Sequence, residues 1–448
     1  MDRQMISRQK ATIKGMVQGI GFRPFIYNLA KKHNLQGYIL NTSTGVDIEV
    51  EGEAGQIDLF FQAIENNHLP LAHITSIERI TLPPISYHEF TIRESIASAD
   101  KTVLISPDIC VCEDCLAEMG DPEDRRYHYP FINCTNCGPR YTIIEDVPYD
   151  RPTTSMRVFQ MCRDCKREYD DPTNRRFHAQ PNACPVCGPR VELFDNQRNL
   201  VDTDDPIHQA VDFLKKGYIV AIKGLGGFHL AVDAENNEAV LRLRKRKNRE
   251  EKPLAIMSHN LNQIHQYACI SPQEEALLTS PQHPIVLLQK REPNAIAEQV
   301  APKNPNIGVM LPYTPLHYLL LEDDETLALV MTSGNLSEEP IVIDNDDAFD
   351  RVGDVADYFL IHNRAIYLRS DDSVARTIDG KIRIIRRSRG YVPQPLFLHK
   401  EFPQILACGA ELKNTICLTK GKNAFLSQHI GDLKNLESFQ FFELTVRH

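Results

Sequence analysis

The segment Cys112-Glu-Asp-Cys115, 18 further residues and Cys134-Thr-Asn-Cys137 form a unit that this chain contains twice. The second copy follows without a gap 50 residues later, as Cys162-Arg-Asp-Cys165, 18 residues and Cys184-Pro-Val-Cys187. Two C-x-x-C pairs at this separation are typical of a tetrahedral zinc site, and a tandem repeat argues against coincidence. The sequence therefore predicts two structural Zn²⁺ ions, with these ligands: Cys112, Cys115, Cys134, Cys137, Cys162, Cys165, Cys184 and Cys187.

The spacing leaves open how the cysteine pairs share the metal. Each copy holds four cysteines, which favours sequential ligation with one zinc per copy over interleaved pairs. His128 and His178 occupy equivalent positions and are alternative ligands, although four cysteines per copy already suffice. The remaining cysteines in apolar surroundings are predicted to be buried packing residues: Cys269, Cys408 and Cys417.

The composition is that of a soluble protein with several domains. The chain has 448 residues, 42% hydrophobic and 25% charged, and a net charge of −10. It contains no run of 18 apolar residues and no apolar signal segment. Together with cysteines in zinc-type spacing, this predicts a cytoplasmic location and no membrane partner. The acidic balance argues against nucleic acid as a partner, so we expect the zinc modules to be structural.

A glycine-rich loop near the start indicates a phosphate site. A β-type run enters Gly15-Met-Val-Gln-Gly-Ile-Gly-Phe-Arg23, and Pro24 is suited to begin a helix that ends before Gly37. Such a loop directs successive backbone N–H groups at one point, and Arg23 adds a guanidinium that binds two phosphate oxygens. The predicted phosphate loop consists of Met16, Val17, Gln18, Gly19, Ile20, Gly21 and Phe22.

This loop, together with the Gly37–Gly52 segment that contains Asn41, resembles the acylphosphatase signature. The resemblance implies that Arg23 and Asn41 are catalytic: Arg23 holds the phosphoryl group and Asn41 orients the attacking water. Without it, Asn41 could equally be a turn residue before a hairpin. The pattern predicts strands at 46–51, 72–82 and 88–93 and a helix at 56–67. The order β-α-β-β-α-β is that of a ferredoxin-like domain over residues 8–97.

Residues 202–396 have the pattern of an α/β domain with two polar clusters. Basic residues follow a predicted helix at 236–246 and precede an apolar strand, and a hydroxyl-rich loop follows another strand. Cations at a strand edge suit a polyphosphate, although a solvated helix and a surface turn are the alternatives. The segments resemble the YrdC-like domain, whose members bind ATP and form carbamoyl-type adenylates. That resemblance implies nucleotide-binding residues Lys247, Arg249, Lys252, Thr332, Ser333, Asn335, Ser373 and Arg386.

The order of the parts resembles the HypF family, the carbamoyltransferases of [NiFe]-hydrogenase maturation. The parts are an acylphosphatase-like domain at 8–97, a tandem zinc module at 108–191 (112–137 and 162–187), a YrdC-like domain at 202–396 and the start of a C-terminal domain at 402–448. The expected fold class is therefore a multidomain combination of α/β and α+β folds.

The resemblance implies a sequence of reactions. Carbamoyl phosphate is hydrolysed, and ATP with Mg²⁺ activates the carbamate as carbamoyl-adenylate. The carbamoyl group then passes to the C-terminal cysteine of the acceptor protein HypE. Because the chain stops at His448, within the family's last domain, we expect this transfer to be absent. The alternatives are a threonylcarbamoyl-adenylate synthase for tRNA modification and a zinc-dependent nucleic-acid-binding regulator.

Overall fold

The computed structural model describes residues 6–66, 69, 72–96, 103–323, 325–336 and 339–448. The chain divides into two compact units, each with its own core. The first unit comprises Met1–Ser106 and Asn133–Gly188, and the second comprises Pro107–Ile132 and Pro189–His448. The predicted end of the first domain, residue 97, lies outside the described residues.

The first unit contains a five-stranded sheet with the order β4-β1-β3-β2-β5. Neighbours are antiparallel except β2 and β5, which are parallel. Alternate residues of β1 and β3, such as Ile13 and Ile48, pack against Ile26, Phe60 and their neighbours on the two helices. The β-α-β-β-α-β order predicted from the sequence is confirmed. The elements are β1 Ile6–Met16, α1 Phe22–Lys32, β2 Gln36–Thr42, β3 Gly45–Glu53, α2 Ala54–Asn66, β4 His73–Leu82 and β5 Phe90–Ile92.

The sequence repeat is also a repeat of backbone structure. Helices α3 (Glu113–Gly120) and α4 (Arg163–Asp170) each begin directly after the first cysteine of a copy. His128 and His178 both have a left-handed backbone, with φ of 52° and 55°. Their N–H groups donate to equivalent carbonyls, Met119 at 2.9 Å and Tyr169 at 3.0 Å. The two copies therefore share one local fold.

The second unit is built on a mixed sheet of eleven strands among the residues that the structure describes. Its order is β16-β15-β11-β12-β9-β13-β8-β7-β14-β6, and β10 pairs with β11. The central strands β7 and β8 are buried almost throughout, as expected for a sheet covered on both faces. The strands are β6 Val191–Asp195, β7 Val220–Lys223, β8 Phe228–Asp233, β9 Ala255–Met257, β10 Ala268–Cys269, β11 Ile285–Lys290, β12 Asn306–Met310, β13 Leu329–Ser333, β14 Tyr358–His362, β15 Val374–Ile378 and β16 Lys381–Arg386.

Helices cover this sheet: α5 Pro206–Lys215, α6 Asn237–Arg246, α7 Leu261–Tyr267, α8 Pro272–Leu278, α9 Pro315–Leu320 and α10 Asn345–Val352. Helix α6 begins where the Asn236 side chain accepts a hydrogen bond from the Ala239 N–H at 3.0 Å. Its last turn carries three basic residues, which the negative end of the helix dipole favours. The basic cluster begins at the end of this helix, where Lys247 contacts Ser333 and Asn335 at the end of the central strand β13.

A smaller sheet with the order β17-β19-β18 follows, formed by β17 Leu396–Phe402, β18 Leu406–Cys408 and β19 Ile416–Leu426, and then helix α11 Leu436–Arg447. The prediction that the unpaired cysteines are buried is wrong for Cys269 and Cys408, which are exposed, and Cys417 is only half-buried. Cys269 and Cys408 lie on short edge strands, which leave side chains open to solvent. None of the helices in the described ranges has the length and apolar character needed to span a membrane.

Candidate functional site

The phosphate loop connects β1 to α1 in the first unit. Gly19 and Gly21 have φ of 73° and 76°, a conformation that other residues adopt only with strain. Helix α1 begins at Phe22, two residues before the predicted start at Pro24, so Arg23 lies in its first turn. The side chains of Val17, Ile20 and Phe22 are buried in the core, which leaves the backbone of the loop as its functional part. Arg23 is buried, with only 7% of its surface exposed.

Gln18 connects the loop to the strands that carry Asn41. Its Nε2 donates to the carbonyls of Thr42 at 2.8 Å and Gly45 at 2.7 Å. Its Oε1 accepts from the Tyr149 N–H at 3.0 Å. Three hydrogen bonds on one buried amide therefore fix the loop, the β2–β3 turn and a segment from between the two zinc-type repeats.

Arg23 and Asn41, the two predicted catalytic residues, line one pocket together with the loop. The Arg23 Nη2 lies 3.0 Å from Asp150 Oδ1, and the Asn41 Nδ2 lies 3.5 Å from the Tyr149 carbonyl. The Asn41 Oδ1 is buried and has no hydrogen-bond partner among the residues that the structure describes. An unsatisfied buried acceptor beside a buried arginine is suited to bind a small polar ligand.

Two residues of the cysteine-rich segment that the sequence did not single out as part of this site also line the pocket. Arg140 donates its Nε to the Gly19 carbonyl and its Nη2 to the Thr135 carbonyl at 2.9 Å, so it positions the loop. His178 lies near Arg23, and burial together with that positive charge lowers the pKa of His178 to about 3. Both residues have an equivalent in the other repeat, Arg190 for Arg140 and His128 for His178. The sequence gives no sign that one copy contacts the phosphate loop.

The second unit brings together most of the predicted nucleotide-binding residues. The Lys247 Nζ, at the end of α6, donates to the Asn335 carbonyl and to Asn335 Oδ1, each at 2.8 Å, and to the Ser333 carbonyl. The Ser333 hydroxyl donates to the same Asn335 Oδ1 at 2.7 Å. The Arg249 Nη1 lies 3.4 Å from the Thr332 hydroxyl. The basic segment and the hydroxyl-rich loop thus form one cluster.

The cations in this cluster lower one another's pKa values by charge repulsion. Burial and the neighbouring Arg244 and Arg386 lower the pKa of Arg249 to about 10. Burial and Arg249 likewise lower the pKa of Lys252. Lys247 is fully buried, and burial with Arg249 and Lys252 lowers its pKa as well. A polyanion bound here would relieve this repulsion.

Ser373 and Arg386 have different surroundings. The Ser373 hydroxyl is completely buried, donates to the Arg389 carbonyl at 2.9 Å and accepts from the Ser388 N–H at 2.8 Å, so the backbone uses its hydrogen-bonding capacity. The Arg386 Nε donates to the Asp372 carbonyl at 2.8 Å. For these two residues, as for the other predicted nucleotide-binding residues, nucleotide binding stays a prediction.

Asp372, which directly precedes Ser373, is the centre of a buried network. Its carboxylate lies 2.8 Å from Arg389 Nε and 2.9 Å from His229 Nε2. Burial acts to raise the pKa of Asp372, but Arg389 and His229 hold it below its usual range. The network anchors the segment before β15 to β8.

The predicted zinc ligands form two groups, one per repeat, in which all sulfur atoms lie within 4.8 Å of one another. This grouping agrees with sequential rather than interleaved ligation. In the second copy, Cys184 Sγ lies 3.8 Å from the sulfurs of Cys162 and Cys187, and the Cys165 and Cys187 sulfurs are 3.6 Å apart. A tetrahedron of sulfurs about 2.3 Å from zinc has edges of about 3.8 Å. The cysteine groups therefore fit zinc.

Four family models match the chain, in the order expected from the sequence. They are Acylphosphatase at residues 9–92, HypF finger at 111–144 and 161–194, Telomere recombination, the Sua5, YciO and YrdC group, at 212–388, and HypF Kae1-like domain at 400–448.

Similar proteins and structures cover almost the whole chain. Carbamoyltransferase HypF2 of Cupriavidus necator is 49% identical over 98% of this chain and 57% of its own length. Carbamoyltransferase HypF of Synechocystis sp. is 48% identical over 99% of this chain and 58% of its own length. A crystal structure of full-length HypF in the phosphate- and nucleotide-bound form is 50% identical, with a TM-score of 0.95 over 99% of this chain and 58% of that chain. The chain thus spans a little over half the length of these relatives. With this similarity and two family models specific to HypF, the chain belongs to the HypF family.

Proposed function

We propose that the pocket of the first unit hydrolyses carbamoyl phosphate. The observation that carries this proposal is the buried Arg23 in the first turn of α1, beside the glycine loop and the unsatisfied Asn41 Oδ1. Arg23 and the loop N–H groups would hold the phosphoryl oxygens, and Asn41 Oδ1 would accept a hydrogen bond from the attacking water. Water attacks phosphorus, the bond from phosphorus to the bridging oxygen breaks, and carbamate leaves.

The Asp150 carboxylate has a defined part in this scheme. It pairs with Arg23 Nη2 at 3.0 Å and accounts for part of the guanidinium's hydrogen-bonding capacity. A fixed carboxylate holds the planar guanidinium in one orientation, so its remaining N–H groups stay directed for the ligand.

We propose that the second unit binds ATP and forms carbamoyl-adenylate and pyrophosphate from the carbamate. Arg249 and Lys252 would bind the phosphates, together with Thr332, Ser333 and Asn335. Lys247, whose three ammonium donors are taken by Ser333 and Asn335, would take part in nucleotide binding by holding that loop in place. Mg²⁺ would accompany ATP as its counter-ion. A crystal structure of a full-length relative is described as nucleotide-bound, which supports a nucleotide as a ligand of the family.

The two cysteine groups would hold one structural Zn²⁺ each, with thiolates that require reducing conditions such as those of the cytoplasm. The proposal assigns transfer of the carbamoyl group to HypE to the longer relatives only. A threonylcarbamoyl-adenylate synthase is not favoured, because that function explains neither the Arg23 pocket nor the cysteine groups.

The test is phosphate release from carbamoyl phosphate by the full chain. We expect wild type to release phosphate and Arg23→Ala to lose at least 100-fold in kcat/KM, because Arg23 is the charged group of the phosphoryl site. Lys32→Ala is the control, since it removes an exposed cation from the same helix. Folded wild-type protein that releases no phosphate, or an Arg23→Ala variant as active as Lys32→Ala, would disprove the proposal.

A further inference from the structure

The Arg23 pocket has more acceptors than the phosphoryl chemistry needs. Two of its polar atoms, Asn41 Oδ1 and His178 Nδ1, are buried and have no hydrogen-bond partner among the described residues. Phosphoryl oxygens require donors, which Arg23 and the loop supply. If Asn41 orients the attacking water, the histidine is the acceptor that remains without a function. Buried polar atoms without a partner are costly, so a ligand that pairs with them is stabilised.

The structure holds the His178 ring firmly. The backbone N–H of His178 donates to the Tyr169 carbonyl at 3.0 Å, and the backbone carbonyl of His178 accepts from Gln180 Nε2 at 2.9 Å. The ring packs against those of Tyr169 and Phe177, with centroids 4.9 and 4.7 Å away. The position of the ring is therefore fixed by its own repeat before any ligand binds.

The equivalent histidine in the first repeat shows that the shared fold does not require this arrangement. His128 has the same backbone conformation, but its side chain is 41% exposed. Its ring stacks on Tyr127 at 3.9 Å, and its Nε2 lies 3.4 Å from a carboxylate oxygen of Glu322. The histidine at this backbone position is thus exposed to solvent in the first copy and lines the Arg23 pocket in the second.

The His178 ring is neutral at neutral pH, because burial and the nearby positive charge of Arg23 lower its pKa to about 3. A neutral imidazole has one donor and one acceptor nitrogen, whereas a protonated ring has only donors. His178 can therefore accept a hydrogen bond in this pocket, in addition to Asn41 Oδ1.

We infer that His178 determines the preference of this pocket for carbamoyl phosphate over other acyl phosphates, by accepting a hydrogen bond from the carbamoyl amino group. The inference rests on the proposed hydrolysis. Carbamoyl and acetyl phosphate share the phosphoryl group and the acyl carbonyl, and differ only where an NH₂ replaces a methyl group. A methyl group leaves the ring nitrogen unpaired, which costs about 1–3 kcal/mol, equivalent to roughly 5- to 150-fold in kcat/KM.

The test compares kcat/KM for carbamoyl phosphate and acetyl phosphate in four full-length proteins: wild type, His178→Ala, His178→Asn and His128→Ala. The two alanine variants have matched backbone strain, since both positions have φ near 50°. Asparagine tolerates this conformation and keeps an acceptor close to the position of Nδ1. Because each preference is a ratio within one protein, a loss of folded protein cancels.

We expect wild type and His128→Ala to prefer carbamoyl phosphate, His178→Ala to lose at least 5-fold in that preference, and His178→Asn to regain part of it. An unchanged preference in His178→Ala, with both activities lowered equally, would mean a structural role and overturn the inference while the proposed hydrolysis stands. If wild type hydrolyses neither compound, the proposed function fails, and the inference with it.

Discussion

Replacement of Gln18 by alanine tests how the first unit holds its pocket together. The side chain is 4% exposed and makes three hydrogen bonds, two from its Nε2 to the carbonyls of Thr42 and Gly45 and one from the Tyr149 N–H to its Oε1. A buried hydrogen bond contributes a net 0.5–1.5 kcal/mol, so three contribute roughly 2–4 kcal/mol. The truncation also leaves two carbonyls and one N–H without this partner, which places the cost at the upper end of that range.

The expected result is a large loss of stability for a single domain whose total is about 5–15 kcal/mol. Since the chain contains 15 tyrosines and no tryptophan, urea unfolding is followed by far-UV circular dichroism and tyrosine fluorescence. The transition that reports the first unit should move to lower urea, and phosphate release should fall at least 10-fold because the loop and Asn41 are no longer tied together.

The matched control is Gln36→Ala in the same unit, because among the described residues that side chain makes one hydrogen bond, a solvent-exposed one to the Asn34 carbonyl at 3.3 Å. It should change stability by less than about 0.5 kcal/mol. If Gln18→Ala unfolds within that margin of wild type and keeps its activity, the three hydrogen bonds do not hold the site, and the reasoning is refuted.

Three further predictions concern the other sites. Lys247→Met should abolish ATP–pyrophosphate exchange but leave phosphate release from carbamoyl phosphate unchanged. Lys245→Met, at an exposed position of the same helix, is the control. Loss of both activities in Lys247→Met would contradict the presence of two separate sites. Wild type should contain two zinc ions per chain and Cys184→Ser about one, measured by elemental analysis; a content unaffected by the substitution would exclude the predicted ligand set. Because the folded pKa of His178 is about 3 and the unfolded value about 6.5, only the unfolded state takes up this proton as the pH falls through that window. The free energy of unfolding should therefore decline on acidification, and His178→Ala should reduce the decline by roughly 1–2 kcal/mol between pH 6.5 and 5, whereas an equal decline in both proteins would contradict the buried neutral ring.

Local sequence patterns predicted most of the secondary structure of the first unit correctly. The glycine loop and the alternation of apolar residues predicted the elements within a few residues, because both depend on neighbours in the chain. Helix α1 begins at Phe22 rather than Pro24 because Gly21, in a left-handed conformation, is the residue before the first turn. That start places Arg23 inside the helix rather than ahead of it.

Contacts between segments that lie far apart in the chain could not be predicted from the sequence. Arg140 lies 121 positions from Gly19, whose carbonyl it binds, and Asp150 lies 127 positions from Arg23. Repetition also obscured function: His128 and His178 look equivalent in the sequence, and only packing separates them. For the cysteines, apolar neighbours predicted burial, but an edge strand with apolar residues can still expose a side chain, as at Cys408.

The central claim is that the first unit supplies carbamate and the second unit activates it with ATP. ATP–pyrophosphate exchange tests this claim most directly, measured for wild type and Arg23→Ala with either carbamoyl phosphate or added carbamate. We predict that wild type catalyses exchange with both compounds and that Arg23→Ala does so only with carbamate. Exchange by Arg23→Ala with carbamoyl phosphate at the wild-type rate, or no exchange by wild type with carbamate, would contradict the claim.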